Sequence, residues 1–208
     1  MVQVNRRSGI KTKANILDAA MQVFSTHGYA GASIRAIAKT AGISIGGVYL
    51  YFRNKEKLYL DLIKSRVEEQ DQMIKESIAL AGTATEALNV FLSLHLEFGV
   101  KNKELILINI REHGFGFGLE IKRKFLRSQI RLLVNILSEG TRDREFREFN
   151  AEEVAKIIMA TLRGVVHSMV IEGESIVTEK GLVDLILKGL VRTDKEKIPG
   201  ERYGKKKK

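Results

Sequence analysis

Ser33–Lys57 reads SIRAIAKTAGISIGGVYLYFRNKEK, and the fold turns on how this stretch divides. Ile34, Ile37, Ala38 and Ala41 recur at i, i+3, i+4 and i+7, which places them on one face of a helix. Gly42 follows, a residue that tolerates the positive φ a tight turn between two helices demands. Ser44 is suited to cap a second helix by accepting a backbone N–H, and Val48 and Phe52 give that helix an inward side. Two short helices meeting across a glycine form a helix-turn-helix, whose second helix is the element that enters a DNA major groove.

On the N-terminal side, Ile16, Ala20, Val23 and Phe24 keep helical spacing from Thr12 to about Thr26. Gly28 ends that helix as a C′ glycine would, with Tyr29 packing just beyond it. Residues 1–11 carry Arg6, Arg7 and Lys11 without periodicity and are expected to form a flexible basic arm. Such an arm either lies along phosphates or in a minor groove, or has no role. On the other side, Asn54 is the expected N-cap of a helix whose seam of Leu58, Leu62, Ile74 and Ile78 runs to about Ala81. A helix of that length reaches beyond the small head and is expected to join it to a body.

The rest reads as helix after helix, so the fold class is all-α. Thr83–Val100 is amphipathic, and Lys103–His113 is a shorter helical run. Leu119–Glu139 sets Ile121, Phe125, Ile130, Leu133 and Leu137 beside Lys122, Arg123, Lys124, Arg127 and Arg131. Asn150 caps a helix to about Ile171, with Glu152 and Glu153 suiting its N-terminus. Thr178–Val191 closes the series with Leu182, Leu185, Ile186, Leu187 and Leu190. The last two helices are apolar on more than one face, so either a second copy covers them in a symmetric dimer or both are central core helices. The expected division is an arm at 1–11, a helix-turn-helix domain at 12–53, a helical effector-binding and dimerisation domain at 54–192 and a disordered basic tail at 193–208.

Charge supports a polyanion partner at one end. The 208 residues carry a formal net charge of +10. Residues 1–57 hold nine Lys/Arg against two Asp/Glu, and residues 192–208 hold eight against three. Residues 58–191 hold eighteen against twenty, so the basicity sits with the helix-turn-helix and the tail. No uninterrupted apolar run approaches a bilayer's width, and no apolar region follows the basic start MVQVNRRSGIKTK, so neither a membrane span nor a secretory signal is expected. The chain has no cysteine, which removes disulfides, thiolate nucleophiles and cysteine metal sites and fits a cytoplasmic protein. His27, His95, His113 and His167 are widely separated with no metal-ligand spacing, and no nucleophile–base or paired-carboxylate arrangement is recognisable. Neither a metal, a cofactor nor an enzymatic reaction is called for.

The segment ILDAAMQVFSTHGYAGASIRAIAKTAGISIGGVYLYFRNKEKL, Ile16–Leu58, resembles the N-terminal domain of the tetracycline-repressor (TetR) family of transcriptional regulators. The likeness rests on Ala19–Ala20, Phe24, Gly28–Tyr29, Ile37–Ala38, Gly42, Ser44, Gly46, Tyr49, Phe52, Lys55 and Leu58. It implies a homodimer whose two heads read a near-palindromic operator, and a ligand-bearing body that respaces the heads and relieves repression. By position it implies phosphate and occasional base contacts from Ser33 and Arg35, and a recognition helix carrying Ser44, Ile45, Gly46, Gly47, Tyr49 and Tyr51. Tyr49 and Lys55 match the family's phosphate contacts, the lesser alternative for Tyr49 being a core aromatic beside Phe52. Gly47 departs from the family, which often has Ser, Thr or Ala there. Two adjacent glycines cost a helix about 1 kcal/mol each against alanine and leave no side chain to read base edges. Readout then falls to Arg35, to apolar contact from Ile45 and to DNA shape.

Within the family, the body's spacing and its ILINIREHG segment, residues 106–114, resemble regulators of fatty-acid degradation that respond to acyl-coenzyme A. On that resemblance Arg111, Lys122 and Arg123 would meet an anionic head group. Phe91, Leu94, His95, Phe98, Ile108, Arg111, Phe115, Phe117, Leu162 and Met169 are the candidate pocket lining, and most of them read equally as plain core. The glycine-rich run His113–Gly118 follows no strand and lacks a GK[ST] ending, so it is expected to be a joint near the ligand entrance and no phosphate loop. The leading function is a ligand-responsive repressor with a lipophilic effector. The alternative is an architectural DNA-binding protein without an effector, marked by steep salt dependence and little preference for any operator.

Overall fold

The computed structural model describes residues 6–103, 106–107, 118–173 and 177–191. Eight helices run through them: α1 (Arg6–Gly31), α2 (Ile34–Ala41), α3 (Ile45–Tyr49), α4 (Lys55–Ile78), α5 (Ala84–Lys101), α6 (Leu119–Arg142), α7 (Ala151–Glu172) and α8 (Glu179–Leu190). Their starts are set by side-chain caps. Ser33, Ser44, Asn54, Thr83, Asn150 and Thr178 each accept from a backbone N–H in the first turn of the helix that follows.

Two hydrophobic cores form. In the head, Ile16, Ala20 and Phe24 of α1 pack with Ile37 and Ala38 of α2, Val48 and Phe52 around α3, and Leu58, Tyr59, Leu62 and Ile63 of α4. The first turns of α4 therefore belong to the head, while its Ile74 enters the body core with Leu88, Phe91, Leu92, Leu133, Leu137, Ile158, Met159 and Leu162. One continuous helix is thus buried at both ends in different cores. Phe98 of α5 and Ile121 of α6 pack against the head core, so the body touches the head through more than α4. Between α4 and α6, Asp71 accepts from Gln129 Nε2 at 2.7 Å and from Ser128 Oγ at 3.2 Å.

Several expectations need correction. The first helix begins at Arg6, six residues before Thr12, so Arg6–Lys11 is helix instead of arm. Gly28 does break the first helical run with φ 66°, as a C′ glycine would, and only the short further turn to Gly31 is unexpected. The helix after the turn is only five residues long, and its chain then closes tight turns, with the N–H groups of Tyr51 and Phe52 both donating to the Val48 carbonyl. By length and by a mean hydropathy of 1.6, α7 does reach the membrane-spanning class, although Lys156 and Arg163 interrupt it. The helical run at 103–113 is described only at 103 and 106–107. Its remaining residues, the run 113–117 and the tail at 193–208 lie outside the described residues.

Candidate DNA-binding site

The turn between α2 and α3 is a Schellman motif. Gly42 sits at φ 68°, its N–H donates to Lys39 O at 3.2 Å, and the Ile43 N–H donates to Ala38 O at 3.0 Å. Asn15 Nδ2 adds a 2.8 Å bond to Ala41 O, tying α1 to the end of α2. With the turn fixed, Ser33 and Ser44 stand at the starts of the two helices. Ser33 Oγ accepts from Ala36 N and Ser44 Oγ from Gly47 N, at 3.1 and 3.0 Å. Each hydroxyl keeps its own proton to donate outward.

Arg35 projects from the first turn of α2 and is exposed. Ile45, Gly46 and Tyr49 are exposed on α3, and Tyr49 at 52% exposure stands clear of the fully buried Phe52. The core-aromatic reading of Tyr49 is thereby removed. Tyr51 is half-buried against the head core. The two glycines differ. A Cβ on Gly47 would lie 3.3 Å from Ser44 Oγ, whereas one on Gly46 would meet nothing nearer than that oxygen at 3.9 Å. The fold gives no steric reason for glycine at 46.

Leu50 escapes the sequence reading. It caps the end of α3 and is 86% exposed, the most exposed large apolar residue of the head. Its neighbours on either side are aromatic, so no period separates it from core positions, and only its placement after a five-residue helix exposes it.

Lys55 is the main departure. Its Nζ donates to the carbonyls of Tyr29 at 2.7 Å, Ala32 at 2.9 Å and Ala30 at 3.4 Å, and lies 4.5 Å from the centre of the Tyr29 ring. The cation is used to close the end of α1. The role of a phosphate-binding ammonium does not fit that geometry.

The pocket candidates scatter. Phe91 and Leu162 are packed in the body core, and Leu94 lies at its edge. Phe98 belongs to the head contact, and Met169 is half-buried on α7. Ile108, Arg111, Phe115 and Phe117 lie outside the described residues. His95 is 8% exposed, with its Nδ1 2.8 Å from the Phe91 carbonyl. Burial pushes its pKa down to about 4 against a partial rise from the Phe91 bond. Between the unfolded value near 6.5 and that folded value, the unfolded chain binds the extra proton, so stability falls as pH drops through the window. The expected loss is roughly 2–3 kcal/mol between pH 7 and pH 4 from this residue. Urea titrations of the wild type and of His95→Phe at the two pH values check it, and an equal loss in both proteins refutes it.

Residues 16–62 match the model of the bacterial regulatory proteins, tetR family. That segment is a TetR-family domain. Its turn, caps and exposed α3 are the DNA-binding head of such a transcriptional regulator. The likeness continues through the body. The fatty acid metabolism regulator protein of Bacillus subtilis is 27% identical over 182 residues, 84% of this chain and 93% of that protein. The structure of the transcriptional regulator FadR from B. subtilis, in complex with stearoyl-CoA, superimposes with a TM-score of 0.72 over 86% of this chain and 97% of that one, at 27% identity. The fatty acid degradation regulator FadR from Bacillus halodurans gives 0.73 over 85% and 98%, at 28% identity.

Proposed function

We propose that this protein is a homodimeric TetR-family repressor that holds a near-palindromic operator through two α1–α3 heads. It releases the operator when a lipophilic effector, a long-chain acyl-coenzyme A, enters the helical body. The observation that carries the effector class is the match across the whole body to a regulator solved with stearoyl-CoA. The contact of Phe98 and Ile121 with the head core supports a route from body to head, because a shift of α5 or α6 must repack the head's first-turn α4 residues. Dimerisation through α7 and α8, in a cytoplasmic protein, completes the reading.

In the head, Arg35 reads base edges, Ile45 and Leu50 offer apolar contact to thymine methyls, and Ser33, Ser44 and Tyr49 hold phosphates. Gly46 and Gly47 let the α3 backbone come close. The test begins with footprinting of purified protein on genomic DNA, followed by titration on the recovered operator. Arg35→Ala is expected to cost about 1–3 kcal/mol on the operator and much less on unrelated DNA. Unchanged discrimination between the two sinks the assignment of Arg35. Added stearoyl-CoA is expected to release the operator. Retention of DNA at saturating stearoyl-CoA, with no thermal stabilisation, removes the acyl-CoA effector and favours an architectural DNA-binding protein.

A further inference from the structure

His95 lies midway along α5, the helix that packs against α4, α6, α7 and α8. Its ring is held twice. It lies tilted against the Phe91 ring with centroids 4.2 Å apart, and its Nδ1 is 2.8 Å from the Phe91 carbonyl oxygen. A carbonyl only accepts, so Nδ1 carries the proton. The imidazole is neutral at neutral pH, which leaves the lone pair on Nε2. That atom is buried and has no hydrogen-bond partner among the described residues. Nearly all buried polar groups are paired, and an orphaned acceptor is destabilising until a donor arrives. Gln129 also has an unpartnered oxygen, but its amide nitrogen is spent on Asp71 in the α4–α6 contact. Among the described residues His95 ties no second helix through its polar atoms, so the described fold gains nothing from that nitrogen.

We propose that His95 Nε2 is the polar recognition point of the effector site, accepting a hydrogen bond from a hydroxyl or N–H on an otherwise apolar ligand. The inference rests on the reading of the body as an acyl-CoA site and adds a requirement to it. A saturated hydrocarbon chain has no donor for this atom, and neither does an ionised carboxylate. A donor comes either from a hydroxyl on the acyl chain or from the amide and hydroxyl groups of the pantetheine arm. In both cases the specificity is for a donor beside an apolar segment, and the neutral ring rejects an acceptor placed there.

The experiment measures binding of three probes to the full-length protein by calorimetry: palmitate, hexadecanoyl-CoA and 3-hydroxyhexadecanoyl-CoA. The wild type is compared with His95→Leu, which removes the acceptor, and His95→Gln, which restores one. The expected result is a roughly tenfold loss in His95→Leu for a donor-bearing probe, no loss for palmitate, and recovery in His95→Gln. A loss confined to the hydroxylated ester places the donor on the chain, and an equal loss for both esters places it in the pantetheine arm. Equal affinities of wild type and His95→Leu for every probe overturn the inference while leaving the effector reading intact. Failure of both esters to bind the wild type overturns the two together. Should the variants fail to fold, the ¹⁵N resonance of His95 Nε2 in the wild type decides. An upfield shift on adding hexadecanoyl-CoA or its hydroxylated form, absent with palmitate, is expected, and no shift with either bound ester refutes it.

Discussion

Replacing Ile157 and Leu185 together by glutamate is expected to turn the protein into a folded monomer and to weaken operator binding about 10²–10⁴-fold. Ile157 on α7 is 58% exposed, Ile171 near its end 66%, and Leu185 on α8 71%. Only 22% of the most apolar 18-residue stretch of α7 is buried inside the chain. A helix this apolar and this uncovered suits a second surface, and exposed apolar residues on both α7 and α8 suit a two-fold partner. Small residues open the same surface to close approach, since a Cβ on Gly164 of α7 or Gly189 of α8 would meet nothing within 4 Å. Because both substituted side chains are exposed in the single chain, glutamate there disturbs no intrachain packing. The loss of operator affinity follows from geometry alone. Two linked heads reach their half-sites at an effective concentration in the millimolar range, and separate heads do not. Analytical ultracentrifugation, with operator titration at one fixed salt concentration, checks both parts. A double variant that sediments as a dimer removes α7 and α8 from the interface, and a monomer with undiminished operator affinity removes the two-headed mechanism.

The features legible in sequence are those whose physics is local. Ser44, Asn54 and Asn150 were readable as caps because a capping oxygen acts within three residues of its own position, and the structure has each of them capping. Gly42 was readable for the same reason, since its left-handed turn is a property of one residue. The start of α1 was not, because the residues before Thr12 carry no helical period to mark it. Helical period told which face of α5 is apolar but could not tell that Phe98 serves the head while Phe91 serves the body, since both lie on inward positions of one helix. Leu50 was lost for the opposite reason, being an apolar residue whose exposure depends on where a short helix stops. The α7 surface shows the same limit, because sequence offered a dimer face and a central core helix alike. Its exposure in the single chain is what now weighs toward the first.

Lys55 shows how a position can match a family pattern while its side chain does something else. Replacing it by methionine is expected to lower the stability of the head by about 3–4 kcal/mol, two strong bonds from a charged donor at roughly 1.5–2 kcal/mol each. Its Nζ joins the carbonyls of Tyr29, Ala30 and Ala32, near the end of α1, to the first residue of α4. Tyr29 in turn packs on Phe24 and Tyr59 at centroid distances of 5.8 and 5.1 Å. The lysine thus anchors the corner from which α4 leaves the head, alongside an aromatic cluster that spans α1 and α4. Methionine keeps the aliphatic stem and removes the donor, so the carbonyls lose their partner without a cavity opening. The phosphate reading predicts a different pair of results. It expects unchanged stability, and a salt dependence of operator binding whose logarithmic slope falls by about 0.9 for each lysine lost, or nearly 2 for a dimer. The anchoring reading expects a lower denaturation midpoint and an unchanged slope, because no released counterion is involved. Denaturant titration of Lys55→Met, with operator titrations at several salt concentrations and at a temperature where the variant is folded, separates the two. An unchanged midpoint with a reduced slope returns Lys55 to the phosphate.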